Sequence, residues 1–490
     1  MKQKRLLAVV GLCILSIALR AAPARNVLFV AVDDLRPELA CYDHPMIKSP
    51  NLDRLAGQGV LFNRAYCQQA VCAPSRISLL TGLRPDSTTI HDLNHPMRKT
   101  IPEVLSMPQH FRRNGYETVS LGKIYHHSSD DNKLGWSAPA WKPKGDWKGR
   151  GYLAPESQER INWKNKRQRG VGPAFESADV PDNAYPDGQI ADRAIAELKR
   201  LSEGTAPFFL AVGFIKPHLP FNAPKRYWDL YDRDRIMLSP QVDWPREMPS
   251  FASNGNGTSW EINGYVGIPK KTRPFSPGLS KELIHGYYAC VSYVDALIGR
   301  VVTQLDDLGL RDDTVVILWG DHGWKLSEYS AWCKHTNFEI DARVPMLLSA
   351  PGFGAGKRTD ALVEFVDIFP TLCELTGVSV PASCEGASMV PLLKEPDLAW
   401  KGAAFSQYPR GPRMGYSLRS GPWRYTEWVE RKTGKVSARE LYDHSAGPVS
   451  SANLAEQPDH AETVKRLSAL LAKGQGWKAM QKGGRRIDTP

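Results

Sequence analysis

Four short apolar runs, far apart in the chain, each end in charged or imidazole-bearing residues. This repetition constrains the fold more than any other feature. Asn26 to Val32 runs into Asp33-Asp34, and Thr118 to Leu121 into Gly122-Lys123-Ile124-Tyr125-His126. Phe208 to Phe214 leads to Lys216-Pro217-His218, and Thr314 to Trp319 to Gly320-Asp321-His322-Gly323. Unbroken apolar runs of this length suit strands buried on both faces. Helical spacing separates them, clearest from Leu283 through Tyr287, Val291, Val294, Ile298 and Val302 to Leu305. Strands alternating with helices predict an α/β layered fold. Such sheets bind ligands beyond the carboxyl ends of their strands. Four strand ends that all deliver ligating side chains therefore predict a single active site.

A chain of 490 residues suits two to three domains, or one large domain with an appendage. Its single long apolar run, Leu6 to Leu19, excludes a polytopic membrane protein. Residues 1–24 read as a signal peptide: Lys2, Lys4 and Arg5 precede the apolar run, and Ala21-Ala22-Pro23-Ala24 supplies small residues for cleavage. The expected location is periplasmic or secreted, with no stable membrane anchor. The net charge is +11, and loss of the leader removes four basic residues and no acid. Many of the excess cations lie between Lys133 and Arg169, in a stretch rich in Trp, Gly and Pro that reads as a surface insertion. A basic exported protein suits an acidic partner, although a solvated basic face explains the insertion equally well. No nucleic-acid motif accompanies it, so no nucleic-acid partner is expected. Of eight cysteines, Cys13 leaves with the leader. In an oxidising compartment the odd remainder points to one cysteine with a separate task. Cys373 and Cys384 bracket Gly377 and Pro381 and are the expected disulfide; Cys41, Cys67, Cys290 and Cys333 stay unassigned.

Asp33-Asp34 and Asp321-His322 offer hard oxygen and imidazole ligands. Adjacent carboxylates repel unless a cation lies between them, and Ca²⁺ accepts several carboxylate oxygens in loose geometry. Simple capping of the following loop suits Asp33-Asp34 as well. A second candidate is Cys72-Ala73-Pro74-Ser75-Arg76. Pro74 fits the first turn of a helix, which puts Cys72 at an amino terminus that favours an anion. Arg76 then projects a fork suited to sulfate or phosphate. A buried structural cysteine before an ordinary helix is the plainer reading of Cys72 alone.

The longer string is more specific. Cys72-Ala73-Pro74-Ser75-Arg76 with Thr81-Gly82 five residues after the arginine resembles the signature of type I sulfatases in the alkaline-phosphatase superfamily. The four strand ends match in the right order, and the resemblance runs from about Asn26 to about Leu454. The chain is most similar to the iduronate-2-sulfatase branch, through Val32 to Leu39, Cys67 to Arg76, Lys216 to Phe221, Trp332 to Glu339 and Ser406 to Arg410. The resemblance implies a large mixed sheet flanked by helices, with a smaller C-terminal α/β subdomain. It divides the chain into a catalytic domain over 25–391 and a subdomain over 396–490. The subdomain would be a short antiparallel sheet with a terminal helix near Glu462 to Leu471, and Ser406 to Arg410 would reach back to the pocket.

The resemblance also implies that a formylglycine-generating maturation enzyme converts Cys72 to formylglycine (3-oxoalanine), hydrated to a diol. One Ca²⁺ would be held by Asp33, Asp34, Asp321, His322 and residue 72. Arg76 and the metal would activate the diol; Lys123 and Lys334 would hold the sulfate oxygens. His218 is the implied general acid and His126 the implied base, with His127 open as its substitute. Trp324, His335 and Asn337 are expected at the substrate, Asn337 also as a support for Asp321 or the metal shell. His91 and Arg98 stay open as recognition residues. The implied substrate is a sulfated oligosaccharide or polysaccharide, either 2-O-sulfated iduronate-like or an algal glycan. One departure stands out. Where the branch reads Leu-Gly-Glu-His-Gly, this chain has Leu326-Ser327-Glu328-Tyr329-Ser330, in a loop expected to border the pocket. That weakens the expectation of iduronate but not of sulfatase chemistry. The alternatives are a phosphodiesterase or phosphonate hydrolase with the same modified cysteine, and an unmodified, non-catalytic glycan-binding protein.

Overall fold

The computed structural model describes residues 26–127, 129–143, 151–162, 171–253, 260–270 and 272–474. The expected leader over residues 1–24 and much of the basic insertion lie outside them. No helix among the described residues is long and apolar enough to cross a membrane.

Seven strands make the central sheet: β1 Asn26–Val32, β2 Val60–Phe62, β3 Glu117–Gly122, β4 Phe208–Phe214, β5 Thr314–Gly320, β6 Met346–Ser349 and β7 Lys357–Thr359. Their order is β7-β2-β6-β5-β1-β4-β3. The four apolar runs are the neighbours β5, β1, β4 and β3, all parallel. Strand β6 runs against both of its neighbours, which makes the sheet mixed. The register sets Val32 beside both Phe214 and Gly320, and Gly122 beside Gly213. The four parallel strands thus stop level, and their polar C-terminal extensions gather along one edge of the sheet.

The lack of polar alternation in these runs has its cause in two cores. Val27, Phe29 and Ala31 face one, with helices α1 (Cys72–Thr81) and α4 (Ile368–Thr376). Leu28, Val30 and Val32 face the other, with α2 (Pro186–Ser202) and α3 (Pro277–Asp307). Each buried large apolar side chain contributes about 1.5–3 kcal/mol relative to exposure. Helix α3 starts upstream of its first apolar position because Ser276 caps it, accepting from Leu279 N at 3.3 Å, with Pro277 in the first turn.

At one point the sheet edge requires glycine. Gly122 has φ +71°, and a Cβ there would stand 2.1 Å from Gly213 O. A Cβ on Gly213 would stand 2.2 Å from Lys123 O. This close approach brings the backbone of Lys123 against β4, next to the strand ends.

The last helix of the first part is Val390–Lys394, and a four-stranded antiparallel meander comes after it. Its strands are β8 Ala404–Arg410, β9 Arg413–Ser420, β10 Trp423–Glu430 and β11 Val436–Asp443. Helix α5 (Ala461–Lys473) covers it, burying Leu467 and Leu471 against Leu418, Tyr425 and Leu441. Strand β8 is tied back to the segment before α1: Gln407 N donates to Gln68 O at 2.8 Å, and Ser406 Oγ to Cys67 O at 2.7 Å.

The expected disulfide is not formed. No disulfide joins any of the seven described cysteines. Cys373 is buried in α4, while the Cys384 sulfur is turned onto Gly82, 3.0 Å from where a Cβ would stand.

Candidate active site

Arg76 organises the site. It is fully buried, at the fifth residue of α1. Its Nε donates to Asp321 Oδ2 at 2.9 Å and its Nη2 to Asp33 Oδ1 at 3.0 Å. Its Nη1 donates to the carbonyls of Lys123 at 2.6 Å and Ile124 at 3.0 Å. One guanidinium thus ties together three of the strand ends. Its donors are used inward, on carboxylates and carbonyls, so it aims those carboxylates and is not an outward fork for an anion.

Cys72 sits at the amino terminus of α1, 3.4 Å from His322 Nε2, 3.6 Å from Asp33 Oδ1 and 3.9 Å from Lys123 Nζ. Ligand atoms of Asp33, Cys72, Asp321 and His322 lie within 4.8 Å of one another, all buried. Asp34 joins them: its Oδ1 is 3.3 Å from His322 Nε2, and its backbone takes the left-handed φ of 60° that Asp tolerates. His322 Nδ1 faces Gly323 O at 3.0 Å. A carbonyl only accepts, so Nδ1 carries the proton and the Nε2 lone pair points into the cluster.

This donor set fits a hard divalent cation. Three buried carboxylates and one imidazole lone pair converge, and buried carboxylates crowded together need positive charge. Burial raises Asp33, but Lys123 and Arg76 outweigh it and hold that carboxyl well below its usual range. Burial pushes Asp34 up to about 7 despite Lys334, with Asp33 adding to the rise. Burial, with Asp33 beside it, also pushes the Cys72 thiol well above its usual value. As a cysteine, residue 72 is therefore a protonated, weakly nucleophilic thiol.

Outside the cluster opens a cavity of about 700 Å³, whose walls include Cys72, His126, His218, Glu261, Lys334 and His335. Tyr408 and Arg410 of β8 close one side, as the reach-back from the second sheet anticipates. Lys334 Nζ lies 2.9 and 3.1 Å from the two Asp34 carboxylate oxygens. Lys123 Nζ pairs with Asp33. His126 lines the cavity and His127 does not; the two rings meet edge to face, centroids 4.9 Å apart. Burial and then Lys123 push His126 down to about 3, which leaves its ring neutral at pH 7 and able to accept a proton. His218 Nδ1 contacts Leu219 O at 2.7 Å, and its Nε2 is 3.1 Å from Glu261 Oε1.

Several expected positions are corrected. Trp324 is fully buried beneath Lys334, whose Nζ lies 4.8 Å from the ring centroid, so it does not reach the cavity. Asn337 donates from Nδ2 to Gly415 O at 2.9 Å; it fastens the second sheet and does not support Asp321. Arg98 is spent on Asp131 and on Val104 O, whereas His91 lines the cavity. The loop Leu326 to Ser330 does not border the cavity either. Leu326 and Glu328 line a separate hollow of about 500 Å³. Tyr329 is buried, stacked on Trp244 at 5.1 Å and 10°. Ser327 and Ser330 hold φ of 87° and 52°, where the resemblance expects glycines. The altered loop changes packing under the C-terminal part and leaves the cavity wall untouched.

Sequence reasoning missed Glu261. It is a single acid in a short helical segment, Trp260–Asn263, with no motif around it. Its carboxylate lies 3.2 Å from Lys334 Nζ and 3.5 Å from His335 Nε2 as well as beside His218. Burial raises Glu261, but Lys334 and then His218 hold it well below the usual carboxylate range.

Comparison with known proteins agrees with this geometry. The family model described as Sulfatase matches residues 25–378, and that described as N-sulphoglucosamine sulphohydrolase, C-terminal, matches residues 322–476. The chain is 34% identical to iduronate 2-sulfatase of Mus musculus, covering 91% of this chain and 94% of the relative. It is 29% identical to a sulfatase of Formosa agariphila, covering 91% and 86%. A structure determined with its substrate D-glucosamine-2-N,6-O-disulfate aligns with TM-score 0.72 at 21% identity, over 92% of this chain and 97% of that one. Phosphonate monoester hydrolase of Agrobacterium radiobacter aligns with TM-score 0.76 at 22% identity, over 94% and 96%.

Proposed function

The chain belongs to the sulfatase family and is a sulfuric ester hydrolase, and on that premise we propose that it is an exported enzyme removing sulfate from a sulfated saccharide. The observation that carries the reading is the buried cluster of Cys72 with Asp33, Asp321 and His322 at the floor of a sugar-sized cavity. The saccharides in view are a 2-O-sulfated iduronate, from the mammalian relative, and a sulfated algal glycan, from a relative described as an ulvan-active sulfatase. Export would use the leader over residues 1–24. The catalytic domain would span 25–391 and the smaller subdomain 396–490.

Asp33, Asp34, Asp321 and His322 would hold one Ca²⁺, and a maturation enzyme would convert Cys72 to formylglycine. Bound there, the metal and the hydrated aldehyde would supply the Lewis acid and the attacking hydroxyl. The protein's own groups do the rest. Arg76 fixes the directions of Asp33 and Asp321. Lys123 and Lys334 set two positive charges beside the sulfate oxygens as negative charge builds on them. His218, on the cavity wall, gives a proton to the departing sugar oxygen. His126, neutral at pH 7, takes one up on the side of residue 72.

The test co-produces the enzyme with a formylglycine-generating enzyme. The peptide Ala65–Arg76 should be about 18 Da lighter than its cysteine form. The converted protein should release sulfate from an aryl sulfate and from the oligosaccharides, lose that activity with a chelator and regain it with Ca²⁺. Turnover of an aryl phosphonate monoester faster than the sulfate would overturn the reading. So would retained activity in Cys72→Ala.

A further inference from the structure

We propose that Glu261 makes the cavity selective for sulfated sugars that present a hydroxyl or amino group, and no carboxylate, to its wall. The inference rests on the sulfatase reading and narrows its substrate class. Glu261 touches both His218, on the leaving-group side, and Lys334, on the sulfate side. The sugar ring carrying the ester must therefore pass beside its carboxylate.

The two fixed cations of the described wall already have partners, carboxylates for Lys334 and carbonyls for Arg410. Lys334 is shared between Asp34 and Glu261. Arg410 donates from Nε to the carbonyls of Phe251 at 3.1 Å and Ser253 at 3.0 Å, from Nη1 to Pro409 O at 3.2 Å, and from Nη2 to His335 O. The other carboxylate of the described lining is Asp92, whose Oδ1 faces His95 Nδ1 at 2.7 Å. A substrate carboxylate brought beside Glu261 meets like charge there, and Lys334, the cation in contact with Glu261, already holds Asp34. A hydroxyl or ammonium group meets an acceptor. Repulsion of the wrong partner discriminates as effectively as attraction of the right one.

The altered loop at Leu326 to Ser330 does not supply this discrimination, since it does not reach the cavity. Glu261 does so from a segment with no motif.

The experiment uses the full-length, formylglycine-bearing enzyme with Ca²⁺. Three substrates are compared: an aryl sulfate, a 2-O-sulfated uronic acid, and the same sugar with its carboxylate reduced to the primary alcohol. The wild type should prefer the reduced sugar. Glu261→Gln keeps the shape and removes the charge, so the preference should shrink by about tenfold, equivalent to about 1.4 kcal/mol. The change should fall mainly in KM for the uronate. Glu261→Asp keeps the charge and should keep the preference, which separates charge from packing. A wild type that prefers the uronate overturns the proposal. So does a preference that Glu261→Gln leaves within twofold, or that Glu261→Asp abolishes. If the wild type fails to cleave even the aryl sulfate, the sulfatase reading itself falls; cleavage with an unmoved preference sinks only the role of Glu261.

Discussion

Replacing Arg76 by methionine tests the reasoning about the cluster directly. The substitution keeps an apolar stem in a fully buried position but removes one partner of Asp33, at 3.0 Å, which Lys123 also holds, and a partner of Asp321, at 2.9 Å. Breaking a buried ion pair while leaving the opposite charge behind costs about 3–5 kcal/mol. With an unfolding entropy of about 2.1 cal/mol/K per residue over roughly 430 residues, one kelvin corresponds to about 0.9 kcal/mol, so Tm should fall by about 3–6 °C. The measurement is thermal unfolding in chelator and again in saturating Ca²⁺. If Asp33 and Asp321 are metal ligands, the cation takes over part of what the guanidinium did. The Ca²⁺-induced rise in Tm should then be larger in Arg76→Met than in the parent, by about 1.5 °C for each tenfold gain in affinity. A fall below about 1 °C in chelator would refute the account of the buried pair. An identical loss with and without Ca²⁺ would refute the assignment of those carboxylates to the metal.

Gly213→Ala places a Cβ 2.2 Å from Lys123 O, so β3 and β4 must part. It should cost about 1–3 kcal/mol, read from denaturant unfolding, and lower kcat more than a distant substitution of equal cost, because Lys123 moves. Tyr329→Ala empties the stack on Trp244 and should cost about 3–5 kcal/mol, with kcat/KM of the folded enzyme within about threefold of the parent. A large kcat/KM loss would return the Leu326 to Ser330 loop to the pocket. Burial raises Glu364, but Arg84 and then Lys401 outweigh it and hold its carboxyl at about 2. A depressed carboxylate adds stability above its unfolded value near pH 4.3 and loses it as pH falls toward 2. Glu364→Gln should therefore be less stable at neutral pH and show a flatter decline in Tm between about pH 4.5 and 2. An unchanged slope would mean the pair carries no such linkage.

Much of the fold was legible because its cause is local. Runs such as Asn26 to Val32 are apolar without alternation only when both faces of a strand are covered, so a parallel layered sheet follows from the residues themselves. The Cys72 string was legible for a similar reason: a proline in the first turn sets a helix start with Cys72 at its amino terminus. The start of α3 at Pro277 was not read from the apolar spacing, which begins at Leu283, although its cap at Ser276 is local.

The rest depended on distance in the chain. Whether Arg76 reaches outward to an anion or inward to Asp33 and Asp321 depends on how α1 docks on the sheet edge. Trp324, Asn337 and Tyr329 all sit in motif-bearing stretches, yet packing turns all three away from the cavity. Whether Cys373 meets Cys384 depends on where the second sulfur turns, and it turns to Gly82. Glu261 is the clearest case. Its charge has meaning only beside Lys334 and His218, 73 and 43 residues away in the chain. Periodicity and caps act over a few residues and are written where they act. The meeting of a carboxylate with a lysine and a histidine from other strand ends is set by packing, and no local pattern encodes it.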